Sequence, residues 1–375
     1  MCLAVCEYVH VYPIFITPSF RNMANIPTEP IGSIPRPAYL QQAMQAYTKA
    51  EISSDDLARL FSQATRETII SLEATGSPVI SDGEQSKPSF ATYPIHGLLN
   101  LGGGGVVIPF EDGHTRQLPV LTSGPFRYRN FAVDYLREAR KHTALPVKQA
   151  VISASAMSLL YPAAGIDGYP QSQFIADLLD QAEADIRKCL NEQAYNVQID
   201  FTEARLALKL DPSQGLLQQF ISLNNQVLDR FTADERSRIG IHTCPGGDHD
   251  STHSADVPYQ ELLPLFFQLN AGNFYLEYAG EKDKVSVLES IRHNIRPGQR
   301  VFLGVTDVLN PRVETPGEIR DLLLQAAEYI PLNQLGSTDD CGFSPFADDI
   351  STAREITFEK IRARVEGTKL AEAGL

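Results

Sequence analysis

What most limits the folds open to this chain is an alternation. Short apolar runs, each followed by a segment with helical periodicity, recur from residue 28 to residue 371 with no linker between them. The runs occupy 28–33, 78–84, 147–153, 196–200, 239–243, 273–277, 301–305 and 334–337, and the helical segments 37–49, 53–76, 132–142, 172–194, 216–228, 259–270, 284–293, 316–330 and 351–371. In 172–194, Ile175, Leu178, Leu179, Ala182 and Ile186 fall on one face. Ser53-Ser54-Asp55-Asp56 supplies a cap and an acidic first turn for 53–76. Eight strand-helix units predict an α/β protein, a closed parallel (β/α)8 barrel of TIM type with its active site at the carboxyl ends of the strands. An open doubly wound sheet is the other arrangement that fits the alternation.

Two stretches depart from the pattern. Residues 85–129, with Gly102-Gly103-Gly104-Gly105 between apolar runs, predict a hairpin excursion after the second strand. No Gly-Lys-Ser/Thr follows the glycines, so they read as a turn and not as a phosphate loop. Residues 1–22 are apolar but lack a basic leader and contain Glu7 and His10, which makes a poor signal peptide. They are expected to be a loose arm or a gene-model extension, with Met23 as the natural start and 23–375 as one catalytic domain.

The polar residues that close the runs carry the chemistry. His242 and Cys244 lie two apart at the end of a buried run, so their side chains share a face. Glu277 ends the sixth run and Cys341 follows the eighth. Imidazole, two thiols and a carboxylate are ligand types that Zn2+ prefers, and strand ends of a barrel converge on one mouth. Ser33, Asp82, Glu84, Asp200 and Asp307 fall at other strand ends. An isolated His-x-Cys is more often a buried polar residue beside an inert thiol; the convergence favours metal. A closed four-ligand site would ordinarily be structural.

Composition narrows the partners. With 375 residues, 43% of them hydrophobic, the chain can bury a barrel-sized core. A net charge of -14 without a long basic run argues against nucleic acid and for small-molecule partners. No apolar run reaches the roughly 18 to 20 residues that span a bilayer. Five cysteines, odd in number and widely spread, fit reduced thiols and a cytoplasmic setting better than a disulfide framework. Oligomeric state is not legible.

Taken together, Pro30-Ile31-Gly32-Ser33, Asp82-Gly83-Glu84, Gln198-Ile199-Asp200, His242-Thr243-Cys244, Leu276-Glu277 and Asp340-Cys341-Gly342, in this order, resemble the catalytic half of the cobalamin-independent methionine synthase family and its short stand-alone members. The resemblance spans about residues 28–367. It implies a (β/α)8 barrel with zinc on His242, Cys244, Glu277 and Cys341. It also implies that Glu84 and Asp200 hold the amino group of homocysteine, while Ile31 to Ser33 meet its carboxylate. Residues 245–256 read as an insertion relative to the family, and its His249 and His253 are alternative ligands or, as the simpler reading, solvent-facing loop residues.

The expected chemistry follows from the ligands. A free thiol has a pKa near about 8.5 and reacts as the thiolate; a zinc site that exchanges a weak ligand, Glu277, for the incoming thiol deprotonates it for attack on carbon. The predicted function is therefore S-methyl or S-alkyl transfer to homocysteine or a similar amino thiol, with the donor open. Departures from the family bear on that donor. Leu309 stands where the methionine synthases carry a histidine acid, the chain has no Trp to stack on a pterin, and Asp307 is the substitute acid. Among the short relatives, epoxyalkane:coenzyme M transferase implies thiol addition to an epoxide, although Glu84 and Asp200 would repel a sulfonate. A non-catalytic zinc-stabilised binding barrel and a metal-dependent hydrolase are further readings; two cysteine ligands point away from the hydrolase. Tyr93, Phe126, the neighbourhood of Tyr128 around Arg127 and Arg129, and Tyr161 are candidate donor contacts.

Overall fold

The apolar runs that lack proline become strands. In a computed structural model that describes residues 25–375, six of them form one parallel sheet: β1 (Gln149–Ile152), β2 (Val197–Asp200), β3 (Ile239–Thr243), β4 (Asn273–Leu276), β5 (Arg300–Gly304) and β6 (Leu335–Thr338). They lie side by side in sequence order. The arm expected over residues 1–22 lies outside the described residues.

Period-two alternation sorts the side chains of this sheet. Val197, Ile199, Ile239, Ile241, Phe274, Leu276, Val301 and Leu303 belong to the main core under the helices, whereas Tyr275 and Phe302 join Ile31 in a small separate cluster. The register aligns Asp200 with His242, His242 with Tyr275, and Tyr275 with Phe302. Glu29, Lys148 and Asn196 are buried with Tyr275, whose hydroxyl donates to Glu29 Oε2 at 2.6 Å. Lys148 Nζ lies 3.4 Å from the Tyr275 ring centroid.

The first two runs extend the sheet edges without becoming strands. Thr28 bridges Ser337 and Ile80 bridges Val147, both in parallel. The two segments meet through Ile34 N donating to Gly83 O at 3.0 Å and Ser81 Oγ donating to Gly32 O at 2.7 Å. The parallel order is that of a TIM-type barrel, but among the described residues no strand ladder closes the ring here. Pro27, Pro30 and Pro35 lack donors for such a ladder. Gly83 (φ 67°) and Glu84 (φ 55°) also turn the chain out of extended geometry.

Helices fall close to the expected segments. Ser53 caps Ser54–Ala74 in a reciprocal capping box with Asp56. Cys189 is a packing residue of helix Gln171–Asn191. The segment expected at 259–270 stops at Phe266, two residues after Pro264, and the terminal helix starts at Arg354. Helix Glu203–Leu210 is additional to the expected set. The excursion is a nested pair of antiparallel ribbons, Leu101–Gly102 with Val120–Leu121 and Val107–Pro109 with Thr115–Gln117. Residues 245–256 also form a hairpin, Gly247–Asp248 with Ser251–Thr252. No helix among the described residues is long and apolar enough to cross a membrane.

Candidate functional site

The strand ends deliver their polar groups to one place. Ile31, Ser33, Glu84, Asp200, His242, Cys244 and Cys341 all line one pocket, which holds about 380 Å³ of space out to its open mouth. β3 brings His242 and Cys244 to the same side, and the loop after β6 brings Cys341 to within 3.0 Å, Sγ to Sγ, of Cys244. A Cβ on Gly342 would collide with Ser33 Oγ, so glycine at that position lets the Cys341 loop seat against the first segment. Ser33 Oγ accepts from Ser344 N at 3.2 Å in the same seam.

The donor set fits zinc. Ligand atoms of His242, Cys244 and Cys341 lie within 4.8 Å of one another. His242 Nδ1 faces Tyr275 O at 3.3 Å, which places the ring proton on Nδ1. Nε2 is then a lone pair, buried and without a hydrogen-bond partner. A buried imidazole nitrogen without a hydrogen-bond partner, beside two thiols, is a donor set that suits a borderline-soft cation. The hydrogen bond from Cys341 holds the Cys244 thiol well below its ordinary pKa against the effect of burial, and the same contact, with burial, pushes Cys341 well above. Burial works against a charged His242, yet the Cys244 thiolate and Asp200 outweigh it and raise its pKa.

The other half of this pocket is anionic. Burial raises Asp200 to about 6, with His242 opposing and Glu84 adding to the rise. Gln198 Nε2 donates to Asp200 Oδ1 at 2.7 Å. Glu84, held in a left-handed conformation that non-glycine residues seldom adopt, accepts from buried Lys87 Nζ at 2.9 Å. Burial alone would lower the Lys87 pKa, but Glu84 and Asp82 reverse the shift and raise it.

Glu277 and Asp307 are placed elsewhere. With Leu309, Asp340 and Cys341 they line a second pocket of about 260 Å³, so Cys341 is the wall between the two. Glu277 is not part of the close His-Cys-Cys set; its Oε2 accepts from Arg205 Nη1 at 3.0 Å. Burial, then Asp340, push Glu277 well above the usual carboxylate range, with Arg205 opposing. Asp307 Oδ1 accepts from Leu309 N at 3.0 Å. Asp340 accepts from the backbone N–H groups of Tyr278, Ala279 and Gly280, and burial still raises it to about 7.

With this geometry in view, comparison with known proteins is decisive. A sequence model of the family described as "Cobalamin-independent synthase, Catalytic domain" matches residues 26–354. The chain belongs to the cobalamin-independent methionine synthase catalytic-domain family. It is 20% identical over 357 residues to a methionine synthase of Sulfurisphaera tokodaii, covering 93% of this chain and 94% of the relative. It is 23% identical over 331 residues to the 5-methyltetrahydropteroyltriglutamate-homocysteine methyltransferase of Nitrosomonas europaea, where it spans only 40% of the longer protein. A B12-independent methionine synthase structure from Shewanella sp. W3-18-1, in complex with selenomethionine, superposes with a TM-score of 0.73 at 19% identity, covering 93% of this chain and 98% of the other.

In this family member, several residues of the site were not singled out from sequence. Lys87 braces Glu84 and Arg205 holds Glu277 from the unanticipated helix, while Gln198, already part of the Gln198-Ile199-Asp200 segment, braces Asp200. A lysine three residues after Glu84 was the one signal available for Lys87. Phe90 lines the first pocket, whereas Tyr93 and Phe126 are core residues, and Tyr161 packs on Phe174. His249 is exposed as expected, but His253 is buried: burial lowers its pKa to about 4, and Nδ1 pairs with Ser254 Oγ at 3.0 Å. A hairpin fold turns His253 inward where an open loop would leave it in solvent.

Proposed function

We propose that this protein is a zinc-dependent S-alkyltransferase that methylates an amino thiol, with homocysteine as the favoured acceptor. One observation carries the reading: the His242 lone pair and the Cys244 and Cys341 thiols open into the same pocket as Glu84 and Asp200. A thiol activator and an ammonium site thus share one cavity. His242, Cys244 and Cys341 would hold zinc, with Glu277 as a fourth ligand once its carboxylate leaves Arg205. Bound there, zinc would supply the positive charge that keeps the acceptor thiol deprotonated at neutral pH.

The chain's own residues do the rest. Glu84 and Asp200 flank the substrate ammonium, since opposite charges at close range attract in a site shielded from water. Ile31 and Ser33 meet the carboxylate. The acceptor, its thiol proton already released to solvent, forms a bond from sulfur to the alkyl carbon as the carbon-donor bond breaks, and the leaving donor atom keeps the bonding pair and takes up a proton. Relatives named methionine synthase or 5-methyltetrahydropteroyltriglutamate-homocysteine methyltransferase support a methyl donor of that class. Leu309, an apolar residue in the second pocket, favours a second reading in which the carbon is an epoxide. Asp307 is the titratable residue beside it that we assign as proton donor. The assay is methionine formation by zinc-loaded protein given homocysteine and a methyltetrahydrofolate, with Cys341→Ser as control. Methionine from the wild type alone supports the proposal; bound zinc without methionine moves the search to epoxides and other alkyl donors; absence of both zinc and product refutes it.

A further inference from the structure

Cys244 directly follows β3 and Cys341 lies three residues past β6, and the loops that continue from them meet outside the pocket. The loop after Cys244 folds into the Gly247–Asp248/Ser251–Thr252 hairpin, while the loop after Cys341 runs on to Phe346 and Asp348. Arg116, from the Thr115–Gln117 strand of the excursion, reaches both. Its Nε donates to Asp248 Oδ2 at 2.5 Å and Nη2 to Asp248 Oδ1 at 3.1 Å. On the other side Nη1 donates to Asp348 Oδ2 at 2.9 Å and Nη2 to Asp348 Oδ1 at 3.0 Å. The guanidinium carbon lies 4.2 Å from the Phe346 ring centroid.

The Asp248 side chain is fully buried, and its Oδ2 also faces His114 Nε2 at 3.0 Å. Backbone contacts seat the same hairpin on the excursion: Glu111 N donates to Thr252 O at 3.0 Å and Asp112 N to Ser251 Oγ at 3.2 Å. A planar guanidinium serves two carboxylates at once in fixed geometry, which an ammonium cannot do. Catalytic or metal-holding side chains on loops need such outer support, because loop positions are otherwise set only loosely.

We infer that Arg116 is a positioning residue that clasps Asp248 and Asp348 and thereby sets the spacing of Cys244 and Cys341. Its metal consequence rests on the zinc reading of the site; the spacing itself does not. The test compares wild type, Arg116→Lys and Asp348→Asn, the last being a change at a surface carboxylate that leaves Asp248 paired. Zinc affinity is read by competition with a chromophoric chelator, and thiolate coordination by the charge-transfer band of the cobalt-loaded protein. Arg116→Lys is expected to weaken zinc binding by less than the about 10–100-fold that follows loss of a group bonded directly to a metal ligand, and to alter the cobalt band; Asp348→Asn shifts both in the same direction by less. Wild-type affinity and an unchanged band in both variants overturn the inference. If the wild type binds no metal, the zinc reading fails on its own. The clasp is then read in the metal-free protein from the rate at which diamide joins Cys244 to Cys341, mapped by mass spectrometry. A slower rate in both variants sustains it, and an equal rate overturns it.

Discussion

The two pockets that share Cys341 are built differently. In the first, strand ends of the sheet present Asp200, His242 and Cys244, and the polar groups have fixed counterparts: Lys87 for Glu84, Gln198 for Asp200, Tyr275 O for His242. On the other side, Glu277 is drawn to Arg205, and Asp307 and Leu309 sit on a loop after β5. On the proposed reading, the first pocket would meet the acceptor and the second the donor; the second is held by partners brought from other elements, Arg205 on Glu277 and the Tyr278–Gly280 backbone on Asp340.

The heaviest blow to this contrast is expected at the shared wall. Cys341→Ser should abolish both zinc retention and product formation, checked by metal analysis and the methionine assay on one sample; zinc retained at wild-type stoichiometry would remove Cys341 from the site. Next comes Lys87→Met, which leaves Glu84 buried without its partner. Loss of one member of a buried pair costs about 3–5 kcal/mol, measurable by denaturant unfolding, and a loss near zero would mean that Glu84 is not held by Lys87. Glu84→Gln keeps the shape but removes the charge, so the homocysteine KM should rise by about 10–100-fold, the worth of a charge-assisted hydrogen bond, with kcat changing less.

Glu203, three residues past Asp200 and outside the lining of the first pocket, offers a titration. Burial raises Glu203, two hydrogen bonds from Ser153 and Ser155 notwithstanding, from 4.5 to about 7. Between these values the folded state holds more protons than the unfolded one, so this group's contribution to stability falls as pH rises from 4.5 towards 7, and the penalty is complete above that. Glu203→Gln should therefore gain about 1–3 kcal/mol at pH 8 and nothing at pH 4, read from unfolding curves at both pH values; equal curves would place the Glu203 titration outside that window. The smallest effect is expected for Asp307→Asn on acceptor binding. A homocysteine KM within about threefold of wild type, below the worth of one hydrogen bond, with a larger change in kcat would keep Asp307 on the donor side. A large rise in KM would merge the two pockets into one.

Much of this was legible before folding. The strand-helix alternation placed all six strands of the sheet to within a residue or two, and seven of the nine site residues proposed from sequence line the acceptor pocket together. Strand-end positions are readable because period-two alternation and the parallel order dictate where a side chain points. Glu277 was read as a ligand on the same logic, but that logic is blind to Arg205, which a separate helix brings in. The edge segments 28–33 and 78–84 look like strands in composition, yet prolines and the left-handed Gly83-Glu84 turn restrict each to a single bridge.

Pattern alone thus reached the parallel α/β architecture and the thiol, imidazole and carboxylate side chains that share one pocket, because these depend on local periodicity and side-chain chemistry. Folding settled the matters that depend on partners distant in sequence. It paired Cys244 with Cys341, gave Glu277 its arginine, and brought Arg116 across to both thiol loops. Cys244 and Cys341, Arg205 and Glu277, and Arg116 and Asp348 lie 97, 72 and 232 residues apart, so no short window of sequence contains them; proximity exists only once the sheet has set the loops side by side.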